Sequence, residues 1–134
     1  MRRLLLPLLL TASLAACGSD DEASPSAGKD ATLASLTVTV DDDGAKGSGA
    51  PRELKLECEE PTDSQACGAA AGVSPADVKE PPGDTACTTI YGGPEEATIK
   101  GTIRGNEIDA AFKRTDGCEI SRWEKVQPLL DEVR

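Results

Sequence analysis

Five cysteines in 134 residues set the terms on which this chain folds. Only three side chains are aromatic, Tyr91, Phe112 and Trp123, so the interior is thin for the length. A small domain with few large apolar side chains relies on cross-links. Histidine is absent. That removes His-ligated zinc, Ser-His-Asp and Cys-His catalysis, and any imidazole pH switch. No C-x2-C pair exists either, so a thiolate metal site lacks its usual spacing. The cysteines read as disulfide partners, and no metal ligand or cofactor is expected.

The first cysteine stands apart from the rest. Met1-Arg2-Arg3 is a basic head, and Leu4 to Leu10 is apolar but for Pro7. Ala12 to Ala16 is apolar but for Ser13, and the run ends Leu14-Ala15-Ala16-Cys17-Gly18. This is too short for a membrane span and fits a signal-peptide apolar region. Small residues before a cysteine resemble the bacterial lipoprotein signal. That resemblance implies a signal peptide over residues 1–16, lipidation of Cys17, and an exported domain anchored on the outer face of the cell membrane. Two or three acyl chains on one residue suffice for durable anchoring. Residues 17–30 offer no large apolar side chain beyond the anchor cysteine, so they read as a flexible linker. Losing Arg2 and Arg3 with the leader takes the formal charge from -10 to -12. So acidic a chain, with no basic cluster, argues against nucleic-acid partners.

The expected folded domain is 31–134. Leu36, Val38 and Val40 alternate with Thr37 and Thr39, the pattern of a half-buried strand. Leu54, Leu56 and Cys58 repeat it. Ala97, Ile99 and Ile103 share one face of a third strand, and Ile108, Ala110 and Phe112 one face of a fourth, with Gly105-Asn106 as the turn between them. Asp41-Asp42-Asp43-Gly44 lacks the later ligands of a calcium loop and reads as a solvated turn. Ser64 to Gly72 is an Ala-rich helix with a capping serine, and Ser74-Pro75-Ala76-Asp77 a second helix start. Asp116 to Glu119 opens a third helix that Pro128 limits. The layout is α+β, a two-layer sandwich of an antiparallel sheet with one or two short helices on a face.

With Cys17 set aside, Cys58, Cys67, Cys87 and Cys118 remain. An even number in an exported domain argues for two disulfides, and spacing leaves three connectivities open.

Residues 87–94 read Cys-Thr-Thr-Ile-Tyr-Gly-Gly-Pro. Thr88, Thr89 and Ile90 are β-branched and Tyr91 is aromatic, so all four favour extended backbone. The segment is an extended loop with a cysteine at one end; the alternative is a short edge strand. Here the chain resembles the subtilisin inhibitor-like family of exported bacterial serine-protease inhibitors. The similarity runs from about Leu33 to Trp123. It rests on the Leu36–Val40 strand, Pro51-Arg52-Glu53 leading to Cys58, Ala66-Cys67, the Cys87-Thr88 loop with Tyr91 and Pro94, and Gly117-Cys118-Glu119. The resemblance implies disulfides Cys58–Cys67 and Cys87–Cys118, a five-stranded antiparallel sheet with two short helices, and a homodimer formed sheet to sheet. It also implies a reactive-site loop of Cys87, Thr88, Thr89, Ile90 and Tyr91. The attacked bond is Thr89–Ile90, with Thr89 as the P1 residue that enters the specificity pocket. The implied partner is a subtilisin-like or other serine protease.

Thr89 is neither basic nor large, which argues against trypsin and for a pocket that takes small or medium residues. Family members commonly have one residue between the tyrosine and the proline. Gly92-Gly93 intervene here, and the extra glycine is expected to loosen that side. The Cys58 to Cys67 span is also short for the family. The alternative is a non-inhibitory envelope lipoprotein that binds or supports through the same fold. An enzyme is disfavoured: acids such as Asp109 and Asp116 form no recognisable catalytic arrangement.

Overall fold

The computed structural model describes residues 31–134. The expected signal peptide of residues 1–16, lipidation of Cys17 and linker of residues 17–30 lie outside the described residues. The elements run β1 (Ala31–Asp41), β2 (Arg52–Glu60), α1 (Gln65–Ala71), α2 (Pro75–Val78), β3 (Glu96–Ile103), β4 (Asn106–Phe112) and α3 (Gly117–Asp131). The strands form one antiparallel sheet in the order β2-β1-β3-β4.

Period-two patterning sets which face is buried. Leu36, Val38 and Val40 of β1 point to the core, with Leu56 and Cys58 beside them on β2, and Ala97 and Ile99 on β3. Ile108, Ala110 and Phe112 continue that face on β4. A register shift between Thr32 and Ala34 lets the consecutive Leu33 and Ala34 both be buried. The other face is polar: Thr37 sits between Lys55 and Lys100 in the cross-strand register. Trp123, Val126, Leu129 and Leu130 of α3 and Cys67 and Ala70 of α1 belong to the same core cluster.

The caps follow the sequence. The Ser64 hydroxyl accepts the Cys67 N–H at the start of α1, and Ser74 and Asp77 form a capping box on α2. The Asp116 carboxylate accepts the N–H groups of Cys118 and Glu119 at 2.9 and 3.0 Å, opening α3. Arg122, 5% exposed, ties α3 to α2 by donating to the Val78 carbonyl at 2.8 Å while pairing with Glu119.

Four expectations change. The sheet has four strands among the described residues; the fifth implied strand is not there, and no strand forms over 87–94. Three helices stand where two short ones were implied, and α3, with 15 residues, is not short. It passes through Pro128, where a helix loses a hydrogen bond and gains a clash worth about 3 kcal/mol. Beyond it Leu129 and Leu130 are both 0% exposed, and each buried leucine contributes about 1.5–3 kcal/mol, which offsets that loss. The β3–β4 turn also falls one residue early, on Arg104 and Gly105, at φ 47° and 76°. Arg104 is held in that left-handed backbone by its N–H on the Leu33 carbonyl and its guanidinium on the Ala71 carbonyl.

Disulfides join Cys58 to Cys67 and Cys87 to Cys118. Their sequence separations are 9 and 31 residues. Chain-entropy arithmetic gives about 2.7 and about 3.7 kcal/mol for such loops. Disulfides persist in oxidising compartments, so the pair points to an exported domain. No helix of the described residues is long and apolar enough to cross a membrane.

Candidate functional site

The loop from Cys87 to Pro94 joins the α2 side of the domain to β3 and is held at both ends. At its N-terminal end Cys87 is bonded to Cys118, in the first turn of α3. The Asp116 cap fixes that turn, so the Gly117 N–H is aimed outward and donates to the Thr88 carbonyl at 2.9 Å. The approach is close enough that a Cβ on Gly117 would lie 2.0 Å from the Thr88 Oγ1. A side chain at 117 would force the Thr88 hydroxyl to turn away from this position.

At the other end the Gly92 N–H donates to the Arg114 carbonyl at 2.7 Å. A Cβ on Gly92 would stand 3.0 Å from Ile120 Cδ1 and 3.2 Å from Arg114 Cβ. Gly93 has φ 145°, and a side chain there would strike the Glu95 carboxylate. Gly92 therefore seats the loop against Ile120 of α3 and Arg114, and Gly93 takes a backbone conformation that favours glycine. Glu95 and Arg114 are themselves paired at 2.7 Å, with the Arg114 guanidinium 5.9 Å from the Trp123 ring centroid. The loop's base is thus tied to the hydrophobic core.

Between these fixed points stand Thr89, Ile90 and Tyr91. All three are exposed, Ile90 by 57% and Tyr91 by 66%. Ile90 and Tyr91 are the exposed large hydrophobics among the described residues, whose other large apolar side chains are buried or half-buried. Among the described residues no loop or turn hydrogen bond engages their backbone. Exposed, unpaired main-chain groups in an extended segment offer the donors and acceptors of an added strand.

Cys87, Asp116 and Cys118 bring three potential ligand atoms within 4.8 Å of one another. The two sulfurs are bonded to each other and the Asp116 carboxylate caps α3, so the group serves structure. The Asp41–Asp43 run is likewise engaged by its own turn. Asp41 accepts the Asp43 N–H, Asp43 accepts the Gly49 N–H, and Asp42 pairs with Arg52 and Arg134.

The structure brings the sequence-derived residues Cys87 to Tyr91 together with Cys118 and Gly117. Sequence reasoning missed Arg114 and Ile120, which seat the loop from a distance in sequence, and Glu95, which pairs with Arg114. No local pattern marks them, because each acts through a tertiary contact. Comparison with protein-family models, curated proteins and solved structures finds no match.

Proposed function

We propose that the domain inhibits a serine endopeptidase by presenting residues 87–91 as a substrate-like reactive site. Thr89 enters the specificity pocket as P1 and Ile90 follows the attacked bond. The observation that carries this reading is the fixing of the loop on both sides of three exposed residues. Such a loop adds as a strand to a protease cleft at little entropic cost, because its ends are already ordered. The Thr89 carbonyl then lies at the oxyanion hole. After attack, the segment bearing the new Ile90 amine stays held through Gly92. The amine remains close enough to re-form the bond, so the complex outlives that of an ordinary substrate. Interfaces of this kind need only about 1,600 Å² in total.

The partner is a subtilisin-like or other protease whose pocket accepts a small or medium side chain. Lipidation at Cys17 would hold the inhibitor at the membrane, where it protects envelope proteins. Thr89→Lys tests the P1 assignment. It should gain inhibition of trypsin while keeping its thermal midpoint. A folded Thr89→Lys domain that trypsin ignores would remove Thr89 from that position.

A further inference from the structure

Every described Lys and Arg lies within salt-bridge distance of a carboxylate except Lys46, Lys79 and Lys113. Two of these three share one cleft. It has a volume of about 250 Å³ and opens beside Tyr91, with Lys46 on one wall and Lys113 on another. The β1–β2 turn builds the Lys46 wall. Its seating is specific: Gly44 is buried, has φ 68°, and a Cβ there would lie 2.3 Å from the Pro94 carbonyl oxygen. The turn is thus docked on the C-terminal end of the loop by backbone contact.

Three acids share the cleft. Glu95 is taken by Arg114, and Asp43 accepts the Gly49 N–H within its own turn. Glu96 has no cationic partner among the described residues. Two unpaired ammonium groups beside an exposed tyrosine are unusual on so acidic a chain. On the open face of the sheet Lys55 and Lys100 each find a carboxylate; Lys79, the third unpaired lysine, does not line this cleft.

We infer that this cleft is a charge-selective subsite, in which Lys46 and Lys113 receive a carboxylate from the partner protease just past Tyr91. The inference rests on the reactive-site reading and adds the chemistry of the partner: an acidic wall on the leaving-group side of its substrate cleft. The selection acts at contact. The remaining acidic surface of the domain is screened beyond about 8 Å at physiological salt, so net charge does not override it. Paired rim charges contribute a few-fold each, so two lysines together account for about tenfold.

The test uses two forms of subtilisin, one with a carboxylate added on that wall of its cleft and one with a lysine added at the same place. Inhibition constants are measured for three forms of the domain: wild type, Lys46→Glu with Lys113→Glu, and Lys55→Glu with Lys100→Glu. The last two carry the same net charge. Wild type should bind the carboxylate enzyme about tenfold more tightly than the lysine enzyme. The Lys46→Glu, Lys113→Glu form should reverse that order, and the Lys55→Glu, Lys100→Glu form should keep it. Inhibition of both enzymes without preference, or an order unchanged by Lys46→Glu and Lys113→Glu, overturns the subsite and leaves the reactive site standing. Absence of inhibition and of cleavage at Thr89–Ile90 by either enzyme overturns both.

Discussion

The two disulfides differ in what surrounds them. Cys58 and Cys67 are 2% and 6% exposed and join β2 to α1 inside the core cluster. Cys87 and Cys118 are half-buried and join a surface loop to the first turn of α3. Loop length alone makes the second bond worth about 1 kcal/mol more than the first. Burial works the other way, because removing packed sulfurs leaves a cavity. One bond therefore holds the core together, and the other holds the exposed residues in place.

Replacing Cys58 and Cys67 by alanine gives the largest expected loss of stability. It should cost about 4.7 kcal/mol, from about 2.7 kcal/mol of loop entropy plus about 1 kcal/mol of lost packing at each of the two buried sulfurs. Urea unfolding measures it directly. Cys87→Ser with Cys118→Ser should cost less, about 3.7 kcal/mol, with no cavity term. A larger loss for the second pair would mean that chain entropy alone ranks the bonds. The second pair should also show a functional effect that the first lacks at matched stability: rapid cleavage at Thr89–Ile90 by subtilisin, without a lag.

This contrast bears on what the sequence could reveal. Alternating Leu36, Val38 and Val40 exposed a strand because one side of a sheet faces the core everywhere along it. Ser64, Ser74 and Asp116 marked helix starts because caps act within three residues. The end of α3 was hidden: Pro128 predicts a stop, and the burial of Leu129 and Leu130 that overrides it is a property of the assembled core. Cys87 to Tyr91 stood out by composition and by resemblance. Their seating on Arg114, Ile120 and Gly117 did not, since those contacts form only once α3 packs beside the loop.

The loop's seat can be disturbed with both disulfides intact. Gly117→Ala puts a methyl against Thr88 and should cost about 2 kcal/mol. Hydrogen exchange should locate the change at Thr88 to Gly92 and leave β1 to β4 protected. Exchange spread evenly over the sheet would show that loop and core are one cooperative unit.

The smallest effect concerns α2, which leads into the loop. The Ser74 hydroxyl and then the Ser74 N–H, with Lys125 assisting, hold the Asp77 carboxyl below its ordinary value of 3.8. A carboxylate lowered on folding adds stability that is present above the unfolded value and lost as the pH falls through the folded one. Ser74→Ala should therefore cost about 1 kcal/mol at neutral pH. The gap in thermal midpoint between it and wild type should narrow as the pH is taken below 3.8. A gap that is constant with pH would mean that the Ser74–Asp77 contact does not carry the effect.

The central claim is that the stapled loop is a reactive site. Its most direct test is a titration of residues 18–134, both disulfides formed, against subtilisin, elastase, chymotrypsin and trypsin, with any cut mapped by mass spectrometry. The account predicts stoichiometric inhibition of at least one enzyme that accepts a small or medium P1 residue, with slow cleavage confined to Thr89–Ile90. Cleavage elsewhere in the domain, or no complex with any of the four, would contradict it and favour a non-inhibitory envelope module.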